Sequence, residues 1–230
     1  MLNKKKDIWI VISLCVLAFY IVFMIYPLGI LFKNAVIESN GNFTFAYFSK
    51  FLSKNYYFST IFNSFKVSLA ATTLTLIIGT PLAYFYNMYK IKGKTFLQIT
   101  IILCSMSAPF IGAYSWILLL GRNGLITNII KNLTGFNFPS IYGFGGILLV
   151  LCMQLYPLVF LYVSGALRNI DNSLLEASEN MGCTGTRRFF KIIIPLCIPT
   201  ILAAALMVFM RAFADFGTPL FIGEGYRTFP

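Results

Sequence analysis

The chain has 230 residues, of which 58% are hydrophobic and only 11% charged, with a net charge of +11 and a mean hydropathy of +0.80. Soluble domains carry about a quarter charged residues, so this composition excludes one and points to an all-α membrane protein, a polytopic helical bundle. Its basic residues fall in short groups between apolar runs, where membrane orientation signals lie, which argues against a nucleic-acid partner. The chain has no His, and its seven acids (Asp7, Glu38, Asp171, Glu176, Glu179, Asp215, Glu224) are scattered, which excludes His-dependent acid–base chemistry and hydrolytic metal sites. The five cysteines show no C-x-x-C spacing and read as small buried hydrophobes rather than metal ligands.

A membrane-spanning helix needs roughly 20 apolar residues at 1.5 Å each. In chain order, the first candidate is the uncharged run 8–32, after Lys4, Lys5 and Lys6. It is too long for the apolar region of a signal peptide and no small-residue cleavage site follows, so it is expected to be a retained first helix. A polar, aromatic outer segment follows at 33–57. The second span is expected at 64–86, with Lys66 near its start able to snorkel to the interface. The third is expected at 95–120 as one continuous run. Residues 121–145, rich in Gly and Asn, predict a short interfacial helix from the spacing of Ile126, Ile129, Ile130 and Leu133, and a second is expected within 33–57. The fourth and fifth spans are expected at 146–167 and 192–214. Trp9, Tyr26, Tyr84, Tyr86 and Trp116 stand near span ends, as the aromatic belts of membrane interfaces do.

Orientation follows from Lys and Arg. With a cytoplasmic N-terminus, ten basic residues face inside (Lys4, Lys5, Lys6, Lys90, Lys92, Lys94, Arg168, Arg187, Arg188, Lys191) and six face outside (Lys33, Lys50, Lys54, Arg122, Lys131, Arg227). The positive-inside rule supports that choice. The polar stretch "NSLLEASENMGCTGTRRFFKIIIP", 172–195, is then cytoplasmic.

Within this stretch, Ser173 and Glu176 have the spacing of a capping box, and Gly182 stands where a left-handed residue would close the helix, which predicts a helix over 174–181. Two turns are too few to be stable alone, so something must hold them. Leu174, Ala177, Ser178 and Met181 form one small-to-apolar ridge at helical spacing, fit for a groove on a partner. The other reading is an interfacial helix lying on lipid, against which the acids in its body argue.

The same stretch resembles the EAA loop of membrane permease subunits of ATP-binding-cassette importers, E-A-A-x3-G-x9-I-x-L-P. Glu176, Ala177, Ser178, Gly182, Ile192, Ile194 and Pro195 occupy those positions with the family's spacing, Ser178 replacing the second Ala and Ile194 the Leu. "FNSFKVSLAATTLTLIIGTPLAYFY" (62–86) is similar to the segment that opens the family's core transmembrane domain. "RAFADFGTPLFIGEGYRTFP" (211–230) is similar to its outer stretch, closest to ferric-iron permeases. The resemblance implies an N-terminal helix and outer segment at 1–57 and a core importer transmembrane domain at 58–230, with its cytoplasmic EAA loop at 169–195.

It also implies that the chain is a permease subunit in the cell membrane and not itself an enzyme. The EAA helix would seat on a nucleotide-binding ATPase subunit. An extracytoplasmic solute-binding protein would deliver the solute, ferric iron on the nearest resemblance, with polyamine, phosphonate, sulfate or molybdate as the other solutes of the group. No G-x-x-x-x-G-K-[ST] loop is present in the sequence, so ATP is expected to be used by the partner, and no cofactor or metal is expected to bind this chain directly. In the family another membrane helix usually follows, and in the ferric type often a second half with its own EAA loop. The chain is therefore expected to be a first half or a truncated product that needs a second permease half or copy, within membrane lipid.

Arg211 and Asp215, four residues apart near the outer end of the fifth span, read either as a local ion pair or as part of the translocation path. Gly217 and Pro219 are expected to interrupt the helix there. A broken helix at membrane depth is tolerated where it lines protein or water, so Arg211, Asp215, Gly217 and Pro219 are the candidate pathway or outer gate. The rival function is an ATP-independent secondary transporter or channel, which would be expected to place coupling acids near the bilayer midplane; Asp215 is the one acid within a proposed span.

Overall fold

The computed structural model describes residues 2–37, 42–89, 92–106, 108–135 and 140–228, with the side chains of all but 2–8, Thr134 and Asn172. Lys90, Glu38 and the last two residues of the 211–230 stretch lie outside the described residues. Apart from one antiparallel bridge between Ile37 and Phe43, the regular structure among the described residues is helical. The chain divides into two compact units, Met1–Phe58 and Ser59–Pro230.

In the first unit, α1 (Leu2–Tyr20) runs through a wide π turn, Ile21–Ile25, into α2 (Tyr26–Val36). The cause is Pro27: it has no N–H to donate, and its ring crowds the carbonyl four residues back, which widening the turn relieves. The resulting span, Trp9–Val36, has no buried residue in its most apolar window, the state of a helix whose surroundings are hydrocarbon. The short helix expected within 33–57 is α3 (Ala46–Ser53).

The second unit is built around α8 (Phe144–Arg168), whose most apolar window is more than half buried. Ile147, Val150, Leu151, Val159, Phe160 and Val163 occupy its buried faces. Against it pack α11 (Ile194–Phe213), with Cys197, Ala204, Val208 and Ala212 at helical spacing, and the long α4 (Asn55–Met88). The buried stripe of α4 is small and hydroxylic. Ser64, Ser68, Thr72 and Thr75 each donate a hydroxyl hydrogen bond to the carbonyl four residues earlier, which satisfies a polar atom inside an apolar contact. Gly79 continues this stripe because a Cβ there would stand 2.7 Å from Val159 Cβ and 3.2 Å from the Tyr156 carbonyl oxygen.

Among the described residues, four helices are long and apolar enough to cross a membrane, or five if one bent pair counts as a span. That pair is the expected third span, and here the structure departs from the sequence reading. Residues 95–120 do not form one helix. They form two helices, α5 (Lys94–Ser105) and α6 (Pro109–Leu120), and the segment Pro109–Leu133 is bent by 106° from α5. Pro109 opens α6, and the residue before it, Ala108, is extended at φ −68° and ψ 138°, as a proline imposes on its predecessor. The amphipathic helix expected near 126–133 is α7 (Leu125–Thr134).

Two further expectations are corrected. Tyr84 and Tyr86 are buried rather than placed in an interfacial belt: Tyr86 donates its hydroxyl to Gln98 Oε1 at 2.7 Å and meets Phe160 edge-on. Of the five cysteines, Cys152 and Cys197 are buried, Cys183 is half-buried, and Cys15 and Cys104 are exposed. A bulky residue at the α4–α8 contact must separate the two helices. Gly79→Leu is therefore expected to destabilise the fold by about 1–3 kcal/mol, read as a lower Tm of the detergent-purified protein, whereas the solvent- or lipid-facing Ile77→Leu leaves it unchanged.

Candidate functional site

At one end of the α8 bundle, after Arg168, the chain forms the polar helix α9 (Asn172–Asn180). Its cap differs from the expected box. Asp171, not Ser173, is the N-cap: its Oδ1 accepts the Ser173 backbone N–H at 3.0 Å, and Ser173 lies inside the helix. With that amide taken, Glu176 has no cap amide to reach back to, and its side chain is exposed. The Ser173 donors, the backbone one foremost, hold the Asp171 carboxyl below the usual carboxylate range.

The other end closes as the sequence predicts. Gly182 has φ +75°; its N–H donates to the Glu179 carbonyl at 2.9 Å and that of Cys183 to the Ser178 carbonyl at 2.9 Å. This pair of bonds is a Schellman motif, and its left-handed residue strains any side chain larger than hydrogen.

Ser178 is corrected from the expected partner-facing ridge. It is 1% exposed, turned into its own chain, with its hydroxyl donated to the Leu175 carbonyl. Leu175 packs beside it against the core. The outward ridge is thus Leu174, Ala177 and Met181, with Met181 79% exposed. A charged contact fixes α9 to the next helix, α10 (Gly185–Arg188), where Arg188 Nη1 lies 3.4 Å from Glu179 Oε2. The chain then passes through a second π turn, Phe189–Ile193, which holds Ile192 and is again followed by a proline, Pro195. Phe189 in that turn packs on Tyr84 of α4 with ring centroids 4.6 Å apart. The π turn that follows α10 and the buried end of α4 are in direct contact through that pair of rings.

At the opposite end of the bundle, α11 stops at Phe213, and α12 (Gly217–Ile222) begins after a break at 214–216. The Arg211–Asp215 ion pair is not formed. Asp215 lies past the end of α11, so the i to i+4 register that would join the two is lost. Its Oδ1 accepts the Gly217 N–H at 3.0 Å and its Oδ2 accepts the Thr218 hydroxyl, an Asx turn that opens α12. Gly217 is buried where a Cβ would stand 3.1 Å from the Phe110 ring. Pro219 sits in the first turn of α12 rather than at the break. Arg211 and Asp215 nevertheless line one open cavity of about 360 Å³, together with Gly217, Phe110 and Gln154. Arg122 pairs with Glu224 and lies over the Tyr142 ring, which holds the chain after α12 at this end of α8.

The sequence matches the family described as the binding-protein-dependent transport system inner membrane component over residues 75–229. The chain belongs to that family of importer permeases. It is 28% identical over 228 residues to a Haemophilus influenzae permease named for ferric transport, an alignment covering 96% of this chain and 35% of the relative. It is 24% identical over 233 residues to a Salmonella typhimurium permease named for 2-aminoethylphosphonate transport, covering 100% and 80%. The chain thus spans about a third of the length of the ferric relative. The crystal structure of a bacterial ABC transporter that imports the acidic polysaccharide alginate has the same fold, with TM-score 0.77 at 18% identity, covering 95% of this chain and 78% of that one. The protein is accordingly a multi-pass component of a bacterial inner-membrane transport system.

Sequence reading passes over one residue of this permease, Gln154. Its signal was present: a lone amide in the middle of the apolar α8, where polar groups at membrane depth are functional candidates. For the Asx turn, replacing Asp215 by Ala removes acceptors for two donors at the entrance of α12. Asp215→Ala is expected to lower stability by about 1–2 kcal/mol, and Asp215→Asn, which keeps an acceptor, by less than half of that, measured by thermal unfolding of the purified permease.

Proposed function

We propose that this chain is the membrane permease subunit of an ATP-driven importer, oriented with its N-terminus and α9 in the cytoplasm, and that α9 is the element on which a separate ATPase subunit acts. The observation that carries this reading is the exposed ridge Leu174, Ala177 and Met181 on a helix held rigidly at both ends, by Asp171 and by the Gly182 closure. A protruding apolar ridge on a polar helix fits a groove on a partner. Ala177 keeps the ridge low, Glu176 lies on its exposed flank, and Ile192 and Pro195 shape the widened turn that starts α11. Phe189 on Tyr84 supplies the contact by which a displacement of α9 reaches α4.

The remaining parts follow from that arrangement. ATP is bound and hydrolysed by the partner, a solute-binding protein delivers the solute outside, and a second permease half or copy completes the path. Arg211, Asp215, Gly217 and Pro219, at the outer end, border the path or its outer gate. For the solute, the relative named for ferric transport and the "DFGTP…GYRT" stretch favour ferric iron. Among the described residues no group of three or more His, Cys, Asp or Glu is placed to hold a metal ion, so in this reading iron crosses with ligands of its own. The relative named for 2-aminoethylphosphonate, which this chain matches over most of both lengths, favours an organic phosphonate as the second reading.

Native mass spectrometry of the complex drawn from its own membrane in mild detergent tests the assignment. The expected species contains this polypeptide with two ATPase subunits; the polypeptide emerging alone or only with itself would favour a transporter that works without ATP. Within the complex, Gly182→Leu strains the left-handed residue by about 1–2 kcal/mol and re-aims α9. Stimulation of ATP hydrolysis by loaded binding protein is expected to fall at least about tenfold in this variant while Gly182→Asn, tolerated in that conformation, retains it; full stimulation in the Leu variant sinks the coupling role.

A further inference from the structure

Two open cavities, of about 360 and 370 Å³, share one lining residue, Gln154. The first lies between α8, the start of α6 and the outer end of α11, and the second between α8, α5 and α6, beside Ser115, Trp116 and Tyr156. Gln154 stands about 15 Å along α8 from its first residue at 1.5 Å per residue, which is membrane depth. Its Oε1 is buried without a hydrogen-bond partner. A buried acceptor left unpaired is costly, and inside a membrane it has no water to fall back on.

The other free function of the first cavity is the Arg211 guanidinium, which has no acidic partner among the described residues. Asp215 fills neither role: it forms no ion pair with Arg211, and as a carboxylate it has no hydrogen to donate to Gln154 Oε1. What the cavity lacks is therefore complementary on two counts: an anionic oxygen group for a five-donor fork, and a hydrogen-bond donor that meets Gln154 Oε1 once the half-buried amide turns toward the cavity. Phe110, Leu151, Leu155 and Phe216 supply apolar walls that strengthen both contacts.

We propose that this cavity is a solute station for a small molecule or complex carrying an anionic oxygen group, bound by Arg211, and an ammonium or hydroxyl donor close to it, bound by Gln154. The station rests on the permease reading and specifies its solute class. Two sources offer that chemistry, an aminoalkyl phosphonate and a ferric ion carried with hydroxylated carboxylate ligands. A polyamine has donors without the anionic group, and a bare ferric ion has neither.

The test uses the assembled transporter with its ATPase, second permease half and binding protein in proteoliposomes, with carbon-labelled 2-aminoethylphosphonate, iron-55 citrate and labelled spermidine as probes. Wild type is expected to accumulate one of the first two, which identifies the source. Arg211→Gln is expected to cut that uptake at least about tenfold, the size of a lost charge-assisted contact, with Arg211→Lys retaining part of it. Gln154→Leu is expected to raise the half-saturating concentration several-fold. Uptake of spermidine alone, uptake of neither anionic probe, or wild-type uptake of the accepted probe in Arg211→Gln overturns the station. So does an Arg211→Gln protein that merely loses copurified phospholipid while its uptake stands, because the arginine would then serve a lipid headgroup. Should Arg211→Gln fail to assemble, unchanged half-saturation in Gln154→Leu overturns it equally. Wild-type ATP hydrolysis, measured in the same vesicles, keeps the two readings apart: absence of stimulation by loaded binding protein counts against the importer itself.

Discussion

Burial of α8 on most of its circumference is the constraint on which the rest of the second unit depends. A helix in hydrocarbon gains nothing from hiding apolar side chains from lipid, so its association must come from close packing and from polar groups that find partners. α8 meets both conditions. Gly79 lets α4 approach until Val159 fills the space a side chain would occupy, and Asn87 of α4 donates to Ser164 of α8 at 2.9 Å. At its other end Gly146 sits under the carbonyl of Ile141 and against Ile222, where no Cβ fits.

Because α8 is fixed at both ends, the two polar regions of the chain are referred to one common axis. The region after Arg168 is built by local backbone bonding: an aspartate cap, a glycine closure and one ion pair, with the ridge left outside. The region after Phe213 adds contacts with neighbours to a local turn. Asp215 spends its oxygens on its own turn, Phe110 packs over Gly217, and the Gly143 N–H donates to the Ile222 carbonyl at 2.8 Å.

Four spans, α9 and its glycine closure were legible in the sequence because each leaves a pattern in type and spacing alone: an uninterrupted apolar run, a polar island, a glycine at a helix end. The family match adds the same reading from residues 75–229. What was not legible depends on direction or on competition between neighbours. Hydropathy summed over 95–120 is blind to the turn at Pro109. Asp171 and Ser173 are both good caps two residues apart, and which one wins is decided by where the chain leaves α8. Arg211 and Asp215 have the spacing of a pair only if the helix continues, and it ends at Phe213. The buried Tyr84 and Tyr86 look like interfacial aromatics until Phe189, Phe160 and Gln98 are placed around them.

Each main helix of the second unit also contains a proline, and their positions are uneven. Pro81 lies seven residues before the end of α4 and Pro199 five residues after the start of α11, both in the half of the bundle next to α9, with Pro157 of α8 near the middle. Every such site lacks a backbone bond and bends more readily than the helix around it. Stiffness is therefore graded through the thickness of the membrane, low beside α9 and high on the far side.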